Sequence, residues 1–348
     1  MGHIRNDNLL RLFAKVDEII DARFATWQTW RQHLHANPEL SWEETETTGF
    51  IRKQLDVLGM ELKPGPRNLG GVVNLSSPDA EGPVIALRAD IDAIPVEEDT
   101  GLDFASQVDG VMHACGHDVH TTVALGVCDT MAQVLNDGLN AGPVNMRVLF
   151  QPAEEVAQGA AEMIKIGALK NVERIMAMHV DSSREVGSVG FRDGVQTACC
   201  EEVRVHFNGE GGHSARPHET ADPVFAAAHF MHAAYASIPR ITDSRRAEVL
   251  TFCHVSGGLY SNVIPSRVGI RGTLRSFDKE TRNRVKRQLE HLSDATHHVT
   301  GVQVEIEFGR ANPAVDNDAA TNELMKRAAE SFLSPSSITE VEASLGAE

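Results

Sequence analysis

Residues 83–95 read PVIALRADIDAIP, a short apolar run from Pro83 to Arg88 that closes in a turn carrying Asp90 and Asp92. An apolar run this short, bounded by a proline and an acidic turn, predicts a buried strand. The same pattern recurs on both sides of it. Upstream, Gly70 to Leu75 reads as another strand. From about Asp7 to Ala36, apolar residues recur at helical spacing (Leu9, Phe13, Val16, Ile20, Phe24, Trp27) until Pro38 ends the pattern. Ser41 with Glu44 predicts a capping box for a second helix reaching about Leu58. Downstream, Thr121 to Leu135 is helical by period, and Val144 to Phe150 is a strand closed by Gln151-Pro152. Ala160 to Ile166 reads as helix and Ile175 to Val180 as strand. Strands alternating with helices at these lengths point to an α/β layer with a largely parallel sheet.

Near Cys199 the pattern changes. Glu202 to Phe207 alternates as a half-buried strand, a helix runs from about Pro223 to Ser237, and strands follow at Val249–Val255 and Val268–Leu274. A helix at about Lys279–Thr296 and the alternating strand Val302–Phe308 complete a strand-helix-strand-strand-helix-strand order. That order predicts a small α+β module with one open sheet. The last helix, around Ala319–Leu333, is expected to return to the first domain. The division is therefore 1–196 for the first part of a catalytic domain, 197–310 for the inserted module and 311–348 for the return.

The chain of 348 residues carries 49 acidic against 32 basic residues, a formal charge of −17. Such a surface repels polyanions, and no Lys/Arg stripe offers phosphate contacts, so neither nucleic acid nor an anionic membrane is an expected partner. The five cysteines, Cys115, Cys128, Cys199, Cys200 and Cys253, show no regular spacing, which fits a reducing compartment better than a disulfide framework. The N-terminal MGHIRNDNLLRLF lacks the apolar core of a signal peptide and, with Asn6 where Ser or Thr is wanted, the myristoylation pattern. No apolar run approaches the ~20 residues of a membrane span. The expectation is a cytoplasmic protein acting on a small molecule.

Four clusters carry chemistry, each at or just beyond a predicted strand or turn, where open α/β sheets place their sites. Asp90 and Asp92 form the first; alone, paired turn aspartates are as readily solvated or capping residues. The second, HACGHDVH from His113 to His120, packs His113, Cys115, His117, Asp118 and His120 into eight positions. Thiolate with imidazole suits zinc and its transition-metal neighbours. The third is FQPAEE, where Glu154 and Glu155 follow an apolar strand directly. Adjacent side chains diverge, so one carboxylate can hold a metal while the other faces substrate as general base. His179, at the end of the strand Ile175–Val180, gains weight only in company with the rest. Together the clusters supply ligands for two metals about 3.5–4 Å apart, which would lower the pKa of a bound water whose proton Glu154 takes. A tetrahedral intermediate would then form at an amide carbon, and Glu154 would return the proton to the leaving amine.

At these residues the chain resembles the metallopeptidase family that contains the aminoacylases, in its amidohydrolase branch of hippurate hydrolase and auxin-conjugate hydrolase type. RQHLHANPELSWEE, RADIDAIP, VMHACGHDVHTT, FQPAEE and MHVD carry the resemblance in the first domain; GEGGHSARPHETADP, GGLYSNVIPS and RGTLRSFD carry it in the second. The resemblance implies an α/β catalytic domain plus an inserted α+β lid that also forms a homodimer interface. It implies two divalent ions (zinc, manganese, cobalt or nickel) with Cys115, His117, Glu155 and His179 as ligands and Glu154 as catalytic base. Asp92 then matches a residue that orients a metal ligand. His213 matches a residue that reaches the partner's site to hold the carbonyl oxygen, and Asn262 and Arg275 match substrate contacts, Arg275 being suited to a carboxylate. The role of His120 stays open. The chain stops at Ser344-Leu-Gly-Ala-Glu348, which resembles the start of the family's GAED or GSED motif. The family's last metal-binding histidine falls beyond it, and no residue after His298 is a histidine. The implied reaction is hydrolysis of an N-acyl amino acid or amino-acid conjugate. Two alternatives stand beside it: the same site attacking another electrophile, such as an aromatic carbon bearing an amino group, and a catalytically silent homologue.

Overall fold

The computed structural model describes residues 2–77, 80–138 and 143–347. The chain divides into two compact units, Met1–Glu185 and Val186–Glu348.

The first unit opens with the long helix α1 (Gly2–Ala36) and then α2 (Thr45–Val57). Next come strands β1 (Lys63–Pro64), β2 (Gly71–Ser76) and β3 (Val84–Asp90), helix α3 (His117–Asn136), strand β4 (Asn145–Gln151), helix α4 (Gly159–Lys165) and strand β5 (Val172–Ala177). The sheet order is β1-β2-β4-β3-β5. It is mixed, not largely parallel: β3 pairs in parallel with β4 and β5, whereas β2 runs antiparallel to both β1 and β4. The alternation that marks a strand carries no direction, and β2 acquires its direction from pairing Gly71 with Phe150, far along the chain.

Helices cover both faces of this sheet. On one, Trp30 of α1, Ile51 and Leu55 of α2 and Leu125 of α3 pack with Val73, Leu87, Val148 and Phe150. On the other, Met163 of α4 and Ala168 meet Val72, Ala86 and Leu149. Phe150, Ile51, Leu55 and Leu125 have no solvent exposure; burying a side chain of this size contributes about 1.5–3 kcal/mol. The parallel strands β3, β4 and β5 end toward Asp90, Gln151 and Ala177, and each chemistry-bearing cluster follows one of these ends or the start of α3.

The capping box expected for α2 does not form. Glu44 occupies the N-cap position without a side-chain bond to the helix. The Glu39 carboxylate accepts from the amides of Glu46 and Thr47 instead, at 3.0 and 2.7 Å. Ser41 and Glu44 are turned inward to other partners.

In the second unit, β6 (Val189–Phe191) and β7 (Gly194–Val195) precede β8 (Cys199–Asn208) and β9 (Gly212–His213). Helix α5 (Pro223–Ile241), strands β10 (Glu248–Ser256), β11 (Val263–Ile264) and β12 (Arg267–Ser276), helix α6 (Lys279–Thr300) and strand β13 (Gln303–Phe308) follow. The expected strand-helix-strand-strand-helix-strand order is present as β8-α5-β10-β12-α6-β13, in an open antiparallel sheet β10-β12-β8-β13. One face is apolar: Val203, Val205, Phe207, Ile270 and Leu274 meet Phe230 of α5 and Leu289 of α6. Asp222 caps α5 by accepting from the Val224 amide at 2.8 Å, with Pro223 in the first turn. After β14 (Asp316–Asn317), α7 (Ala319–Ala329) and β15 (Ile338–Glu340), the chain closes the unit. β14 pairs with β7 and β15 with β6, so residues 316–340 join 189–195 apart from the four-stranded sheet.

Candidate metal centre

His117 is the hub of the site. It is the first residue of α3, fully buried, and Gly116 before it has φ 87°. A Cβ at position 116 would stand 2.2 Å from a Val180 methyl carbon, so the chain enters the helix here only with glycine. His117 Nδ1 donates to the Asp92 carbonyl at 2.9 Å, which leaves Nε2 as the lone-pair nitrogen. Nε2 is buried without a hydrogen-bond partner among the described residues, 3.7 Å from both Asp90 Oδ2 and Glu155 Oε1. His179, two residues beyond β5, repeats the arrangement. Its Nδ1 donates to the Val180 carbonyl at 2.6 Å, and its Nε2 faces Cys115 Sγ at 3.4 Å. Anchoring Nδ1 on a carbonyl is how proteins fix the tautomer of a metal-ligating imidazole.

Two donor sets share His117. One atom each from Cys115, His117 and His179 lie within 4.8 Å of one another, and so do one each from His117, Glu154 and Glu155. Asp92 ties the two ends of the site together. Its Oδ2 accepts from Ser41 Oγ at 2.7 Å and from the Glu155 amide at 3.0 Å, and its Oδ1 lies 3.4 Å from His117 Nδ1. Burial opposes the charge on Asp92, but the hydrogen bonds from His117, Ser41 and the Glu155 amide hold its pKa below the usual carboxylate range.

In a third set, Asp90, His117 and His120, one atom of each also lies within 4.8 Å of the others, but its chemistry differs. His120 Nδ1 donates to Asp90 Oδ1 at 2.6 Å and its Nε2 accepts from the Val180 amide at 3.0 Å, so both ring nitrogens are committed. Asp90 is also paired with Arg88 at 2.7 Å. These partners outweigh the large cost of its burial and hold its pKa well below the usual range. His120 thus straps the segment bearing His179 to the end of β3. The sequence shows both residues but not this pairing, which spans 30 positions.

The remaining members of the HACGHDVH cluster point elsewhere. Asp118 is buried against Arg31 and His35, each at 2.8 Å. His113 is buried, joins none of the three donor sets, and has its pKa pushed down to about 4 by burial. Two carboxylates close to His117 make the centre electronegative. Burial disfavours a proton on His117, yet hydrogen bonds with Asp92 and Cys115 and the charges of Asp90 and Asp92 push its pKa up to about 11. The carboxylates that favour a proton on His117 equally favour a cation there, and thiolate, imidazole and carboxylate donors fit a divalent transition metal.

His213, Asn262 and Arg275 all belong to the second unit. The β9–β11 ribbon brings the first two together: His213 pairs with Val263, and the Asn262 carbonyl accepts from the Ser214 amide at 3.1 Å. Arg275 lies toward the opposite end of β12 and donates to the Leu345 carbonyl at 2.9 Å. Of the terminal motif, Glu348 lies outside the described residues.

Residues 86–348 match the family described as Peptidase family M20/M25/M40. The chain is 38% identical over 299 residues to the N-acetyl-L-cysteine deacetylase of Bacillus subtilis (strain 168), covering 86% of this chain and 71% of that one. It is 35% identical over 280 residues to the N-acyl-L-amino acid amidohydrolase of Geobacillus stearothermophilus, covering 80% and 74%. Among solved structures it resembles a Bacillus subtilis protein described as a dinuclear metal binding peptidase from the M20 family. That match has a TM-score of 0.79 and 32% identity, over 94% of this chain and 84% of the other.

Proposed function

The chain belongs to peptidase family M20/M25/M40, and from that premise we propose that it is a metal-dependent amidohydrolase that splits N-acyl amino acids or amino-acid conjugates into a carboxylic acid and a free amino acid. The observation that carries this is the double use of His117. Two donor sets meet on it, and the second contains Glu154 beside Glu155. Cys115, His117, Glu155 and His179 are proposed to hold two divalent ions, drawn from zinc, manganese, cobalt and nickel. Such ions polarise a carbonyl and lower the pKa of water.

This chain's residues do the rest. The Glu154 carboxylate takes one proton from the attacking water as its oxygen adds to the amide carbon. Glu154 then delivers that proton to the nitrogen as the C–N bond breaks. Asp92 holds the Glu155 amide while the carbonyl of the same residue fixes the His117 tautomer, so one aspartate sets the position of two donors. For the second unit, His213 is proposed to reach the site of a partner copy and hold the carbonyl oxygen, and Asn262 and Arg275 to contact the substrate, Arg275 being suited to its carboxylate.

We also propose that residues 197–310 act as a lid and pair two copies in a homodimer. An independent core and an outer strand, β10, paired only with β12 among the described residues, support this. Residues 311–348 are proposed to complete the catalytic domain together with residues 186–196, a division supported by the β14–β7 and β15–β6 pairings. All five cysteines are free thiols, which supports a reducing, cytoplasmic setting. No described helix is long and apolar enough to cross a membrane.

The test is amine release from N-acetyl, N-benzoyl and indoleacetyl amino acids by protein loaded with divalent metal. Release is expected, lost with a chelator, and reduced about 10²–10⁴-fold by Glu154→Gln. Full activity in Glu154→Gln refutes the assignment of the base. Silence from a protein carrying two metals refutes the substrate class.

A further inference from the structure

Glu44 lies outside every cluster that the sequence marks for chemistry, yet it is wholly buried. Its Oε1 accepts from the Ala153 amide at 2.7 Å. Two residues on, the Glu155 amide is held by Asp92 Oδ2 at 3.0 Å. The amides of the two residues that flank Glu154 are therefore each gripped by a buried carboxylate, one from the segment before α2 and one from the turn after β3.

The turn between them needs holding. Ala153 has φ 50°, a left-handed conformation that a residue with a Cβ adopts at a cost. The loop also folds back tightly on itself: the amides of Gln158 and Gly159 both donate to the Ala153 carbonyl, at 3.3 and 3.0 Å. A Cβ at Gly159 would stand 1.5 Å from the Pro152 oxygen. Ala153 itself is fully buried, so no water replaces a partner lost from its amide.

We propose that Glu44 is a positioning residue which, by accepting the Ala153 amide, holds that residue left-handed and so aims Glu154 and Glu155 at the metal centre. This rests on the reading of Glu154 as base and Glu155 as ligand. Glu44 touches neither substrate nor metal and acts through the turn alone. Glutamine at this position keeps an oxygen acceptor of the same reach. Leucine fills the space and removes the acceptor. Aspartate keeps the charge but draws the acceptor back by one methylene.

The experiment uses the full chain and four variants: Glu44→Gln, Glu44→Leu, Glu44→Asp and the double variant Glu44→Leu/Ala153→Gly. Each is stripped of metal, titrated with zinc against a chromophoric chelator, and assayed for kcat and KM on one N-acyl amino acid. Glu44→Leu and Glu44→Asp are expected to lose about 10–100-fold in zinc affinity and in kcat, as loss of a group supporting a metal ligand does. Glu44→Gln is expected to retain both. Glycine reaches φ 50° without a penalty, so Ala153→Gly is expected to restore at least tenfold of the leucine variant's loss. Wild-type zinc affinity in a folded Glu44→Leu or Glu44→Asp chain overturns the proposal, as does a Glu44→Gln loss as deep as that of leucine. An unrescued double variant overturns the role of the Ala153 backbone. Glu154→Gln, run alongside, separates the two claims: if it keeps wild-type turnover, the reading of the base has failed whatever the Glu44 series shows.

Discussion

Replacing Glu44 with glutamine is expected to make the metal-free protein more stable at pH 8, although it deletes a hydrogen-bonded carboxylate. Burial is the largest influence on Glu44. It outweighs the hydrogen bonds that favour the anion, the Ala153 amide among them, and pushes the pKa up from 4.5 to about 7. At ~1.4 kcal/mol for each pH unit, ionising Glu44 in the folded state then costs about 3 kcal/mol. The sign follows from which state binds the proton more tightly. A carboxyl whose pKa is raised by folding contributes its stability in full below 4.5 and loses it as pH rises through 7. Glutamine has no such loss. The gap between Glu44→Gln and wild type is therefore near its low-pH value at pH 4.5 and grows by about 3 kcal/mol by pH 8.

The assay is urea unfolding followed by tryptophan fluorescence. Trp27, Trp30 and Trp42 are the protein's three tryptophans and all lie in the first unit, so the signal reports the unit that contains Glu44. Metal-free protein is required because nearby bound cations favour the carboxylate and mask the effect. A gap that stays constant between pH 4.5 and 8, or one that closes as pH rises, refutes the reasoning.

Other perturbations test other parts of the structure. Phe230→Ala empties the middle of the second unit's core, where Phe230 has no exposure, and is expected to cost about 3–5 kcal/mol; denaturant unfolding followed by far-ultraviolet circular dichroism reads it, and a loss under 1 kcal/mol contradicts the packing. Asp222→Ala removes the cap of α5 and should cost about 1 kcal/mol, seen as a lower melting temperature, with Asp222→Ser recovering most of it. Asp90→Asn breaks a buried set with Arg88 and His120 and is expected to cost about 3–5 kcal/mol at pH 7. Because the pKa of Asp90 is depressed, its contribution is fully present above the ordinary aspartate range of about 4 and is lost as pH falls below it. The variant and wild type should therefore converge in stability toward acid, and a difference independent of pH below 5 counts against the assignment.

Much of this protein is legible in its sequence because the relevant information is local. The strand Asn145–Gln151 and the body of the helix His117–Asn136, from Thr121 onward, follow from apolar runs and their periods. The candidate donors Cys115, His117, Glu155 and His179, and Glu154 beside them, stand out because residue types that bind metals crowd beside strand ends. The order of elements in the second unit follows in the same way, since one face of each strand must be apolar to cover the helices.

The rest depends on partners that the sequence does not pair. The direction of β2 rests on its register with β4, so the mixed sheet leaves no local trace. Ser41 and Glu44 have the spacing of a capping box, but Glu39 satisfies the helix amides. The freed side chains reach Asp92 and Ala153, 51 and 109 positions away. His120 has the same side chain as His117 and sits one turn along the same helix. Only the partners of its two nitrogens separate a strap from a donor. Short-range periodicity fixes which segments form strands and helices, because backbone hydrogen bonding and burial repeat along the chain. The roles of individual polar groups are set by single long-range contacts, and a single contact has no period to read.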